Sequence, residues 1–147
     1  MDMIQWDDRF LVGISEIDRQ HRDFIKLINR LLIINGTGAS EVLAKRMLME
    51  LVKYAEYHFI SEENIMLILQ YEGMDAQHLE HQRIIGVLNG KVSGYLRQTE
   101  TLEGLLGYLV EWFITHTTTE DRKIGLHAVN RKQVGADIEP VINPALP

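Results

Sequence analysis

Four histidines, one carboxylate and one glutamine fall on the inward stripes of otherwise apolar helical patterns. His21 follows Ile17 and precedes Phe24. His58 and Glu62 interrupt the repeat Met47, Leu51, Tyr54, Ile65. Gln77 and His81 lead the repeat Ile84, Leu88, Val92, Tyr95, and His116 closes the repeat Leu102, Leu105, Leu109, Trp112. His58 and Glu62 stand at i and i+4, about 40° apart around a helix that turns about 100° per residue. Gln77 and His81 have the same relation, whereas His78 lies about 100° round from Gln77 and points partly away from that seam. One histidine in such a place is most simply a core residue bonded to a backbone carbonyl. A set of buried imidazoles with a carboxylate would cost several kcal/mol unless partnered. A metal site satisfies all of them at once, and carboxylates with imidazoles inside a helical bundle point to a dinuclear centre.

The last carboxylate is ambiguous on geometry alone. Glu120 is at i+4 from His116 and suits an ideal helix. Asp121 is at i+5, about 140° off, and requires a π-type bulge or an unwound last turn.

The elements that must position these groups follow from the same periodicities. The first helix is expected from about Ile17 to Ile34, ending where "NGTG" places Gly36 and Gly38. The second starts near Ser40, a plausible N-cap. The third follows the turn "YEGMD", with Asp75 available as its cap, and runs to about Gln98. The fourth starts near Glu100. All three prolines lie at Pro140, Pro144 and Pro147, leaving a long body suited to helices. Short connections between such helices make neighbours antiparallel, so the expected fold is all-α: an up-down four-helix bundle. Residues 1–16, with Trp6, Phe10, Val12 and Ile14, form an irregular arm belonging to a domain of residues 1–126. Residues 127–147 form a C-terminal tail ending in a proline-rich strap, with His127 as a surface residue.

Composition narrows the partners. The chain has 147 residues, 46% hydrophobic and 24% charged, which suits one domain with one core. With 15 basic and 21 acidic residues the net charge is −6, so no basic footprint for nucleic acid or anionic lipid is present. Cysteine is absent, which excludes disulfides, iron–sulfur clusters and thiol catalysis. The acidic start "MDMIQWDD" does not read as an export leader, and no apolar run approaches the roughly 18 residues that span a membrane. A cytoplasmic protein is expected.

Over residues 4–126 the chain resembles the bacterial hemerythrins. The resemblance is carried by "WDDRFLVGISEIDRQHRDFIKLIN" (6–29), "YAEYHFISEENIM" (54–66), "EHQR" (80–83) and "WFITHTTTEDRKIG" (112–125). It implies two iron ions with dioxygen as their ligand. His21 and His58 would belong to one iron, which keeps an open position for dioxygen; His81 and His116 would belong to the other. Glu62 and Asp121 would bridge the pair, so the resemblance selects Asp121 over Glu120.

The sequence departs from the family where a histidine is expected and Gln77 stands. Gln77 binds weakly through its amide oxygen, or His78 takes over by rotation through most of a quadrant, or the iron keeps two histidines and admits water. Losing an imidazole there leaves a second iron that is weak or absent. Thr117, beside His116, replaces a bulky apolar residue and should make the dioxygen pocket wetter. Gly86, Gly90 and Gly94 recur on the third helix opposite the ligands and suit a close-approach face, so the chain is expected as a monomer or a weak homodimer.

The expected function is reversible dioxygen binding for storage, delivery or sensing. No catalytic acid, base or nucleophile stands out beyond the ligands, so the chain is not expected to be an enzyme. The alternatives are a di-iron enzyme that reduces peroxide or oxidises iron, and a signalling module whose metal state alters the bundle.

Overall fold

The computed structural model describes residues 1–131 and 139–144. Four long helices, α1 (Ser15–Thr37), α2 (Glu41–Ile68), α3 (Met74–Leu96) and α4 (Leu102–His116), form an up-down bundle in which each packs against its chain neighbours and α4 closes onto α1. A π-helical turn, Thr117–Asp121, leads from α4 into α5 (Arg122–Arg131), and a short α6 (Glu139–Ile142) follows. The rest of the expected tail, 132–138 and 145–147, lies outside the described residues.

The helix ends follow their local chemistry. Ser40 caps α2, its hydroxyl accepting from the Leu43 amide at 3.1 Å. Thr101 does the same for α4 by accepting from Gly104, which moves the start of that helix past Glu100. α1 continues through Gly36 and stops at Gly38, whose φ of +66° is a left-handed cap that glycine adopts without strain. Asp75, expected as a cap, lies instead in the first turn of α3, and Gly73 holds the N-cap position.

The arm is irregular apart from a 3-10 turn at Asp8–Phe10, capped by Asp7. It is fixed from below by Asp18, whose carboxylate accepts from the Val12 amide at 2.8 Å and the Gly13 amide at 3.2 Å. Phe10 is fully buried and its ring lies 6.0 Å from that of Phe113.

The core is divided along the bundle axis. One apolar cluster includes Phe10, Phe24, Leu31, Leu48, Phe59, Leu105 and Phe113. A second includes Val12, Ile14, Ile17, Ile65, Met66, Leu69, Ile124 and Ile142. On α1 the order Ile17, His21, Phe24 steps from one cluster to the other through the histidine. Phe59, Glu62 and Ile65 do the same on α2. The polar groups therefore occupy a layer between two dry ones, where burial makes an unpartnered polar group costly.

Candidate metal centre

Six residues from the four helices and the π turn meet in this layer. His21, His58, Glu62, His81, His116 and Asp121 are all buried. His21 Nε2 lies 3.2 Å from His58 Nε2, 3.5 Å from Glu62 Oε2 and 3.3 Å from Asp121 Oδ2. His81 Nε2 lies 3.2 Å from Glu62 Oε1, and His116 Nε2 lies 3.2 Å from Asp121 Oδ1. Each carboxylate thus reaches toward both pairs of imidazoles. The ligand atoms of His21, His58 and Glu62 cluster within 4.8 Å of one another, as do those of Glu62, His81, His116 and Asp121, so Glu62 is common to both groups.

Asp121 comes into the layer because the backbone makes the wider turn that its spacing from His116 requires. Thr117–Asp121 is π-helical, a form concentrated at functional sites. Threonine hydroxyls serve the carbonyls of this stretch: Thr118 Oγ donates to Ile114 O at 2.7 Å, and Thr119 Oγ to Thr115 O at 2.6 Å. Glu120 is turned out to solvent.

The electrostatics are those of a site built for cations. Burial alone would raise the Glu62 carboxyl, but the close imidazoles of His58, His21 and His81 hold it well below the usual carboxylate range. Asp121 is also lowered: burial and the nearby Glu62 oppose its ionisation, and His116 and His21 outweigh them. Burial disfavours charge on His21, yet Asp121 and Glu62 hold its imidazolium up to about 9. Burial keeps His58 below its ordinary value.

The donor set fits a metal pair on an observation independent of any relative. Both oxygens of Glu62 and Nε2 of His81 are buried without a hydrogen-bond partner among the described residues. Nitrogen and oxygen ligands held about 2.0–2.2 Å from one ion lie roughly 3 Å apart, which is the spacing found here. These residues could hold two cations with Glu62 and Asp121 between them.

Comparison with known proteins places the arrangement. Residues 12–126 match the Hemerythrin HHE cation binding domain. The chain belongs to the hemerythrin family. It is 29% identical to a bacteriohemerythrin of Clostridium acetobutylicum over 127 residues, covering 82% of this chain and 98% of that one. It is 30% identical to a bacteriohemerythrin of Pseudomonas paraeruginosa, covering 82% and 78%. It is 29% identical to a myohemerythrin of Theromyzon tessulatum, covering 81% and 88%. A crystal structure of wild-type hemerythrin superposes with a TM-score of 0.75 at 20% identity, over 85% of this chain and 97% of that one, and shares the fold. The hemerythrin family is one of di-iron, oxygen-binding proteins.

Within this hemerythrin fold Gln77 points into the layer and is buried. Its Oε1 accepts from His116 Nε2 at 2.7 Å and its Nε2 donates to Asp121 Oδ1 at 3.1 Å. His78 is turned outward, with its side chain 44% exposed and its Nδ1 against Glu63. No rotation of α3 brings it into the layer.

Sequence reasoning missed the residues that orient the imidazoles. Glu63 Oε2 accepts from His81 Nδ1 at 2.9 Å, and Gln20 Oε1 accepts from His58 Nδ1 at 2.7 Å. Each leaves the opposite nitrogen, Nε2, free to face the layer. Both stand next to a seam residue in sequence, Glu63 after Glu62 and Gln20 before His21, and that adjacency was the available signal. Trp112 stacks on His116 with ring centres 4.6 Å apart, and its indole N–H donates to Glu80 at 2.8 Å. Phe59 stacks on His81 at 4.1 Å.

Thr117 is buried beside His116. One further expectation is corrected. His127 is half-buried, with Nε2 at 2.8 Å from the Leu69 carbonyl and its ring 5.4 Å from Tyr71. A carbonyl at the C-terminus of α2 holds it in place of a metal.

Proposed function

We propose that the chain holds two iron ions in the polar layer and binds dioxygen reversibly, for storage, delivery or sensing. His21 and His58 serve one iron. His81 and His116, with Gln77 as a weak oxygen donor, would hold the other, and Glu62 and Asp121 would be shared between the two. The observation that carries the reading is the convergence of four imidazoles on two carboxylates, with both Glu62 oxygens buried and unpartnered. When bound, the iron pair supplies reversible coordination of dioxygen.

The chain's own residues prepare the site. Glu63 and Gln20 fix the ring orientations of His81 and His58. Phe59, Phe113 and Trp112 stack on or abut the histidines and hold their rings in place. Family members bind dioxygen as non-enzymes, and no further acid, base or nucleophile in the layer calls for another reaction. Among the described residues no helix is long and apolar enough to cross a membrane, which suits the cytoplasmic location we propose.

Metal analysis of protein purified without oxygen tests the reading, followed by an absorption spectrum after air is admitted. Iron at more than one equivalent with a stable, reversible oxygen-dependent band is the expected result. A chain that takes up no iron overturns it. Continuous consumption of oxygen or peroxide would favour an enzyme.

A further inference from the structure

Beside the polar layer, between α3, α4 and the π turn, lies a cavity of about 550 Å³ that opens to solvent. At roughly 30 Å³ per water molecule it has room for on the order of ten waters. Gln77 and His116 form its buried end, while Ala76, Thr119, Glu120 and Lys123 stand at its exposed rim. His21, His58 and Thr117 take no part in it. The open approach to the layer is thus on the side of His116 and Gln77, opposite the pair His21 and His58.

Chemistry at that buried end permits exchange. Gln77 Oε1 is hydrogen-bonded to His116 Nε2, the nitrogen that a metal would claim. Loading the site breaks that bond and leaves the amide either as a weak, neutral donor or still bonded to Asp121 through its Nε2. An imidazole at this position would compete strongly for the metal, and an amide oxygen does not. The rim does not repel an anion strongly, because its charges are paired among themselves. Lys123 Nζ lies 3.2 Å from both Glu120 oxygens, and Glu80 is bound by Arg83 and by the Trp112 indole.

We propose that this cavity is a second ligand port, through which a small monoanion of the azide class reaches the metal held by His81 and His116 and takes the position that Gln77 defends poorly. The inference rests on the two-iron reading above and goes beyond it, since exogenous ligand would then bind at both ends of the centre.

The test is an azide titration of the iron-loaded, ferricyanide-oxidised full chain, followed by the azide-to-iron absorption band and by rapid mixing. Two azides per iron pair, bound in two phases, are expected. Ala76→Phe, which narrows the mouth without altering a ligand, should slow one phase at least tenfold and spare the other. Gln77→His should abolish that same phase. One azide per fully loaded iron pair in the unmodified chain overturns the inference and leaves the two-iron reading standing, and this result does not depend on any variant folding. Two phases that both survive Ala76→Phe and Gln77→His also overturn it. Failure to load iron overturns both readings.

Discussion

Gln77 is the residue on which the site's behaviour turns. Its amide bridges His116 and Asp121, which makes it a good partner for a metal-free layer and a poor ligand for iron. Gln77→His should raise iron content toward two per chain, read by metal analysis after dialysis against a weak chelator; unchanged content would show that the amide already serves. Glu63 acts one bond further out. Removing the acceptor of His81 Nδ1 frees the ring, and Glu63→Ala should weaken metal binding about 10- to 100-fold, measured by competition with a chromophoric chelator while helicity is retained. The protonation of His21 gives a pH signature for the metal-free chain. Its pKa is raised from 6.5 to about 9, so its stabilising contribution is complete below pH 6.5 and lost as pH rises through 9. Thermal unfolding of metal-free protein should therefore shift to lower temperature between pH 6.5 and 9. Iron, which replaces that proton, should reverse the trend. A flat profile without metal would count against an imidazolium at His21.

At the scale of elements, the four helices were legible because apolar residues recur with a helical period. The positions that break an apolar stripe, His21, His58, Glu62, Gln77, His81 and His116, were legible for the same reason. Asp121 was not, because its placement depends on a π turn that an ideal helix does not contain. The family resemblance selected it, and the turn at Thr117–Asp121 supplies the geometry. Asp75 misled because a capping residue type is not a cap unless the chain bends there, and the bend falls at Gly73. Glu63 and Gln20 were missed because a periodicity argument sees only the centre of a stripe. Gly125 in α5 belongs with these contact-dependent features. A Cβ built on it would collide with the Val12 carbonyl oxygen, so the arm and α5 touch backbone to backbone. Gly125→Ala should cost about 2 kcal/mol by overpacking, a fall of about 4–8 °C in Tm for a chain of this size. An unchanged Tm would mean that the arm yields freely.

For the whole molecule, the chain positions that meet in the layer range from His21 near the start of α1 to Asp121 beyond α4. Fold class was legible at this scale from helix lengths and short connections. The packing of Ile142 into the second apolar cluster, with Asn143 Oδ1 accepting from Ser15 Oγ at 2.7 Å, was not, since nothing local to those residues announces a partner so far back in sequence. The wide separation of the ligands has a kinetic consequence. A cation cannot be gripped from four helices until all four have docked, so it arrives after the barrier to folding has been crossed. Interactions absent from the transition state leave the folding rate alone and retard unfolding. Denaturant-jump kinetics with and without iron should then share one refolding limb, while the unfolding limb drops when iron is present. The metal would serve as a clasp fastened last, setting how long the molecule survives rather than how fast it forms.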